Sequence, residues 1–336
     1  MERTHYERGE YAKSNGHKPA KPMPFEPVAH SALDLLGKEF APLRWVLNNL
    51  IPEGTILLAG KPKSGKSWFG LNLSVSAAME LHFLREPVTA CSVLYLALED
   101  NPRRIKQRLQ LLCRQYAERK DALSRLQYRC DWPAGKPGAE ALDQYLTANP
   151  GCKLVTVDVL KNIRPKTDGR RNAYDVDYES IEPWKRAAER HRVTLLFVHH
   201  TRKAEADDVF DEISGTLGIN GAVDQMIVLR RLPGDHKQAS LYMRGRDLID
   251  DPEMVVELRD GWWQYVGELS AVAVTDARRQ IVEILAEADA PMSTAEILKA
   301  TGKKNRSSLS TLLGKMVEAR QLTRLHRGRF AITTTT

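Results

Sequence analysis

A chain of 336 residues, 42% hydrophobic and 28% charged, has a globular composition and room for one sizeable domain and a smaller one. Its formal net charge of +7 suggests an anionic partner, although excess Lys and Arg is also what a solvated surface carries. The four cysteines, Cys91, Cys113, Cys130 and Cys152, form no C-x-x-C pair, which argues against a zinc site or disulfide framework, and no apolar run approaches the ~20 residues of a membrane span.

Residues 1–28 are polar, rich in Lys, Pro and Gly, and without an apolar signal core, so a flexible tail on a cytoplasmic protein is expected. Ile51-Pro52-Glu53-Gly54 reads as a turn into a strand. Apolar, β-branched runs then follow at 55–59, 92–98, 153–160, 194–199 and 225–229. Helical patterns at 67–84, 103–120 and 181–191 lie between most of them. Such alternation predicts an α/β domain with a mostly parallel sheet covered on both faces. Runs at 240–244, 254–257 and 262–266 have short turn-like connections and predict antiparallel strands at one sheet edge. This block spans 29–268.

Near Ser270 the character changes. An amphipathic helix is predicted at 277–287, with Ile281, Ile284, Leu285 and Ala288 at helical spacing. Ser293 or Thr294 caps a short helix at 295–300, which Gly302 ends. A third helix, 305–320, buries Leu309, Leu312, Leu313 and Met316, and strands at 321–325 and 329–332 follow it. Three helices and a hairpin predict a winged-helix-like domain over 274–332, the third helix being the one such folds place in a DNA groove. From Asp276 onward the chain carries eleven Lys/Arg against six Asp/Glu.

The stretch Gly60-Lys61-Pro62-Lys63-Ser64-Gly65-Lys66-Ser67 fits the phosphate-loop pattern G-x-x-x-x-G-K-[S/T], follows a predicted strand and opens a predicted helix. Its glycines let backbone N–H groups approach phosphates, Lys66 gives a point charge, and the Ser67 hydroxyl suits Mg²⁺, so ATP and Mg²⁺ are the expected cofactors. Trp68, next in sequence, is counted with the nucleotide-binding residues. Asp158 emerges from the apolar run 153–157, where a carboxylate would hold Mg²⁺ directly or through water. Glu99 ends another strand, where it would face the γ-phosphate and polarise a water; the alternative is that Glu99 or Asp100 caps the next helix. His199 or His200, at the end of a central strand, would sense the γ-phosphate.

The order GKPKSGKS, YLALED, LVTVD, FVHHTRK, SGTLGINGAVDQMIVL, MRGRD resembles the RecA-like P-loop ATPases of plasmids and phages, and within them the RepA-type hexameric replicative helicases, over roughly residues 40–266. The resemblance implies that Lys66 and Ser67 are the phosphate-loop lysine and Mg²⁺-side hydroxyl, Glu99 the catalytic glutamate, Asp158 the second acidic motif and His200 the polar sensor. It implies a homo-oligomeric ring, a hexamer, with ATP between subunits and an arginine supplied by the neighbour. Arg246 is the candidate and Arg244 the second, each with the alternative of decorating an edge strand.

Two long loops are candidates for single-stranded DNA. One, 162–179, carries Arg164, Lys166, Arg170 and Arg171; the other spans 202–220. Aromatic partners there are few (Tyr174, Tyr178, Phe210), and Glu205, Asp207, Asp208, Asp211 and Glu212 argue against the second gripping phosphates before Gly215. The C-terminal domain would bind duplex DNA through Lys303, Lys304, Arg306, Arg324, Arg327 and Arg329, or dock a protein. The sequence departs from the simple helicase pattern in lacking a primase segment and in carrying that domain. A DNA-stimulated ATPase motor, a plasmid or phage replicative helicase, is the leading expectation. An ATP-switched DNA-binding protein or helicase loader is the alternative, and a small-molecule kinase lacks any visible acceptor pocket.

Overall fold

The computed structural model describes residue 29 and residues 31–165, 173–201, 208–213, 217–232, 237–288, 290–302, 305–319 and 321–333. The expected tail, 1–28, lies outside them. So do Lys166, Arg170, Arg171, Arg202, Lys203, Glu205, Asp207, Gly215, Lys303 and Lys304, and the side chains of Tyr174 and Arg327. The chain divides into Met1–Pro42 and Leu43–Thr336. Within the first, a single turn-and-a-half of helix, Ala32–Leu36, is capped by the Ser31 hydroxyl and buries none of its residues.

In the second, nine strands among the described residues form one sheet. In chain order they are β1 (Gly54–Gly60), β2 (Ser92–Ala97), β3 (Leu126–Arg129), β4 (Cys152–Asp158), β5 (Thr194–His200), β6 (Gln225–Arg231), β7 (Gln238–Gly245), β8 (Glu253–Arg259) and β9 (Trp262–Glu268). Their lateral order is β9-β8-β7-β6-β1-β5-β4-β2-β3. The six strands from β6 to β3 are parallel, and β6 to β9 form an antiparallel meander at one side. The fold is thus the RecA-like α/β architecture the sequence predicts, meander included.

The central strands are apolar throughout because both faces are covered. Alternate side chains serve opposite cores: Ile56 and Leu58 of β1 join one cluster, Leu57 and Ala59 the other. Helix α1 (Lys66–Met79) fills the first face with Phe69, Leu73 and Ala77. Its other side, Leu71, Val75 and Met79, meets Tyr95, Ile105 and Trp262, so α1 is buried nearly all round. On the opposite face lie α3 (Lys136–Ala148) and α4 (Ala173–His191), with Leu142, Trp184 and Ala188 buried. Helix α2 (Pro102–Leu112) follows α1 in the chain and packs outside β2.

Several boundaries differ from the sequence reading. Helix α1 stops at Met79, because Glu80 turns left-handed (φ 57°) and a tight ladder of His82–Phe83 with Glu86–Pro87 follows. Helix α2 ends at Leu112 and continues as a 3-10 stretch, Cys113–Arg125, interrupted at Tyr116. Helix α4 begins at Ala173 rather than 181, so the expected loop 162–179 is shorter and carries a 3-10 turn, Leu160–Ile163, at its start. The second expected loop contains a 3-10 turn, Val209–Glu212, and a short helix, Leu217–Ala222. No helix among the described residues is long and apolar enough to cross a membrane.

Beyond the sheet, α5 (Leu269–Glu287), α6 (Thr294–Thr301) and α7 (Arg306–Glu318) pack with three short strands, β10 (Met292–Ser293), β11 (Leu322–Leu325) and β12 (Arg329–Ile332). Those strands pair in the order β10-β12-β11, and Ile281, Ile297, Leu309, Leu313, Met316 and Phe330 form a separate core. Ser293 starts α6 in a full capping box: its hydroxyl accepts from Glu296 N, and the Glu296 carboxylate accepts from Ser293 N. Ser293→Ala is therefore expected to destabilise α6 by about 1 kcal/mol, speeding hydrogen exchange of its amides about fivefold. Unchanged exchange would show that packing alone holds this helix.

Candidate nucleotide site

Parallel register brings the carboxyl ends of four central strands together. Gly60 pairs with His200, Asp158 with Val198, and Ala97 with Asp158. The phosphate loop, Glu99, Asp158 and His200 therefore share one edge, where open α/β sheets bind ligands.

The loop's glycines are sterically fixed. A Cβ on Gly60 would lie 2.5 Å from the Leu229 carbonyl, and one on Gly65 would lie 2.5 Å from the Trp263 ring, at φ +103°. Gly65 is also the N-cap of α1 and offers no side-chain cap, so the first-turn N–H groups point to the loop unshielded. Lys66 is 5% exposed, and its ammonium donates to Gly60 O (2.8 Å) and Lys61 O (2.9 Å). Burial pulls its pKa down to about 8, against the opposing pull of the Asp158 and Glu99 carboxylates. The Ser64 hydroxyl is buried beside it with no hydrogen-bond partner among the described residues.

The far side of the sheet steadies this loop. Trp263 donates from its indole to Gly65 O (3.0 Å) and from its backbone to Asn72 Oδ1 (2.8 Å), while Asn72 donates to Gly261 O (2.9 Å). Strand β9 is thereby tied to α1. Trp263→Phe keeps an aromatic ring but removes the indole donor, worth about 1 kcal/mol. The expected result is a roughly fivefold rise in KM for ATP with kcat little changed. A fall in kcat at constant KM would assign Trp263 another role. Trp68 turns its ring against Gly261 and beneath Arg108.

Asp158 is 4% exposed. The Tyr95 hydroxyl donates to its Oδ2 (3.0 Å), the Ser67 hydroxyl also donates to it, and burial raises its pKa. Its Oδ1 is buried with no hydrogen-bond partner among the described residues. A buried carboxylate with an unmet acceptor, next to a hydroxyl and a phosphate loop, is a donor set that fits Mg²⁺. Tyr95 is a site residue that motif reading passed over. A phenol within an otherwise apolar strand signals a buried hydroxyl needing a partner.

Glu99 is exposed and makes no hydrogen bond or ion pair among the described residues. Its neighbours take the capping work: Asn101 accepts from Arg104 N to cap α2, and Asp100 pairs with Arg104 and Arg108. Glu99 remains unengaged, with its charge reaching Lys66 and His200. His200 is half-buried, and its Nδ1 has no hydrogen-bond partner among the described residues. Burial, then the nearby Lys66 charge, lower its pKa, which keeps it neutral at pH 7. His199 lies on the opposite face of β5 and is 6% exposed.

Arg246 is elsewhere. Gly245 pairs with Gln225 at the start of β6, so Arg246 stands at the amino edge of the parallel strands, away from its own phosphate loop. Its side chain is 67% exposed, with Asp224 Oδ1 3.6 Å away. Arg244 is held by Asp208 (2.9 Å) and Asp251 (3.0 Å) over the Phe210 ring. Beside the phosphate loop lies a cavity of about 550 Å³, walled by Lys61, Ser64, Arg230, Arg231 and Tyr242.

The sequence family described as AAA domain matches residues 20–206, more than half of the chain. No curated protein sequence matches it. Among solved structures, one of an ATPase domain superposes with a TM-score of 0.50 at 13% identity, over 64% of this chain and 85% of that one. A DnaB-like replicative helicase, solved with attention to its interactions with primase, superposes with a TM-score of 0.51 at 12% identity, over 64% of this chain and 57% of that one. The RadB recombinase superposes with a TM-score of 0.48 at 15% identity, over 65% of this chain and 92% of that one. At these identities the likeness is one of fold.

Proposed function

The chain belongs to the AAA-domain family, and from that premise we propose that it is an ATP-hydrolysing, DNA-binding motor that works as a ring, as a plasmid or phage replicative helicase does. The observation that carries the reading is the meeting of Lys66, Ser67, Asp158, Glu99 and His200 at one strand edge while Arg246 stands exposed at the other.

In this reading Lys66 turns from the Gly60 and Lys61 carbonyls to the β- and γ-phosphates. Ser67 and Asp158 hold Mg²⁺, which supplies positive charge against the phosphates when bound. Glu99 orients the attacking water and draws its proton. Neutral His200 donates or accepts a hydrogen bond near the γ-phosphate and reports its loss to the chain after β5. A neighbour's Arg246 neutralises charge at the transition state, an effect worth roughly 10³–10⁵ in rate. Such an arrangement makes each site shared between two copies.

DNA enters through charge. Arg306 and Arg324 are exposed on α7 and β11 of the C-terminal unit, which we read as a winged helix over 274–332. Lys161 and Arg164 stand at the head of the loop after β4. The test is ATPase activity without DNA, with single-stranded DNA and with duplex DNA, beside native mass measurement with and without ATP. Stimulation by single strands and a closed ring with ATP are expected. Unstimulated hydrolysis by a monomer would remove the proposal.

The separate core of the C-terminal unit favours one second reading, an ATP-switched DNA-binding or loader protein. Removing 270–336 separates the two: a motor keeps much of its single-strand-stimulated hydrolysis, whereas a site-reading regulator loses specific DNA binding.

A further inference from the structure

The hairpin tip between β7 and β8 ends in a fully exposed isoleucine. Ile249 is 100% exposed, while Leu248 beside it packs on the core, so the tip is anchored and its apex bare. Asp247, Asp250 and Asp251 flank it, and all are exposed. Asp251 is held by Arg244, which leaves Asp247 and Asp250 as the carboxylates on either side of the apex.

Its complement exists on the same chain. Between α2 and the 3-10 stretch after it lies a groove of about 680 Å³. Ile105, Leu109, Cys113 and Leu123 form its floor. Arg103, Lys106, Arg114 and Lys120 stand on its rim, all exposed, and no Asp or Glu lines it. Apolar apex matches apolar floor, and the Asp247 and Asp250 carboxylates match the four cations of the rim.

The tip is not seated in its own copy's groove, since Ile249 is fully exposed, which leaves that groove to a second copy.

We propose that the Ile249 hairpin tip of one copy docks in the α2 groove of a second copy, forming a head-to-tail contact. The contact joins different patches on the two partners, so repetition closes a ring or extends a filament. It also has a consequence at the site. Pro102 and Arg103, which also line the groove, follow Glu99 by three and four residues, and Arg246 precedes Ile249 by three, so this contact would put Arg246 and the neighbour's Glu99 on one interface. This rests on the ring reading above and specifies its interface.

The test introduces Ile249→Cys and Gln110→Cys, both at exposed positions, the second lining the groove. In a Cys113→Ser background, which removes the native thiol from the groove floor, oxidation with ATP present is expected to give the double variant a ladder of covalent multimers beyond the dimer, and the single variants none. Separately, Lys106→Glu and Asp250→Lys are each expected to raise the concentration for half-assembly on the order of tenfold, and their combination to restore it. An intact ATP-dependent oligomer with no ladder and no charge effect overturns this interface while leaving the ring reading standing. A ladder that stops at dimer also overturns it, since the contact would then be symmetric. A protein that stays monomeric at every ATP concentration removes both.

Discussion

Glu99→Gln is expected to lower kcat for ATP hydrolysis by roughly 10²–10⁴ while leaving ATP affinity within a few-fold. The substitution preserves shape and removes only the charge that draws a proton. Three observations single this carboxylate out. Asp158 is already committed to the Tyr95 and Ser67 hydroxyls and is buried, where burial raises its pKa. Asp100 is committed to Arg104 and Arg108. Glu99, one residue before it, is exposed and unengaged among the described residues, with its charge reaching both Lys66 and His200. Asp100→Asn is the matched control and is expected to cost stability rather than turnover, because it leaves Arg108 without its carboxylate. Single-turnover hydrolysis beside equilibrium binding of a fluorescent ATP analogue separates the two effects. A glutamine variant that hydrolyses at the wild-type rate would mean that water is oriented by another group.

The features that were legible in the sequence share a physical basis. A strand buried on both faces needs an unbroken apolar run, and β1, β4 and β5 advertise themselves that way. The phosphate loop was legible because glycine is obligatory where the Leu229 carbonyl and the Trp263 ring approach within 2.5 Å of an absent Cβ. Strand β3 and helix α3 were not anticipated. Three of the four β3 residues are exposed and two of those, Gln127 and Arg129, are polar, so no apolar run marks it. Helix α3 opens with Lys-Pro-Gly, which reads as a turn, although proline in the first turn is a normal helix start and Ala139, Leu142 and Leu146 do follow at helical spacing. Which of His199 and His200 pairs with Gly60 needed the register of β5 against β1. The indole bond from Trp263 to Gly65 spans 198 residues, and nothing local says which of Trp262 and Trp263 faces the loop. Local chemistry is written in local sequence, whereas support from a distant strand is a property of the assembled sheet.

Lys66→Met is expected to abolish ATP hydrolysis and, in the free protein, to raise stability at pH 7. The second effect follows from the lysine's burial. In the unfolded chain the lysine pKa is 10.5, and folding lowers it to about 8, with desolvation as the largest cause. Between those values the unfolded chain holds a proton that the folded chain has released, so wild-type stability rises with pH across that window. Below pH 8 both states carry the charge and the full penalty applies. A depression from 10.5 to about 8 corresponds to about 3 kcal/mol. Loss of the ammonium bonds to Gly60 O and Lys61 O offsets part of it, leaving an expected gain of about 1–2 kcal/mol for methionine. Urea midpoints at pH 7 and pH 10 check the sign: the advantage of Lys66→Met should be largest at pH 7 and shrink as wild-type Lys66 loses its proton. ATP should reverse the order. Phosphate oxygens give the charged lysine the partners that the loop carbonyls only approximate, so nucleotide should raise the wild-type melting temperature by more than that of the variant. A methionine variant less stable than wild type at pH 7 would show that the two carbonyls already satisfy the ammonium, and that the loop is not strained toward its ligand.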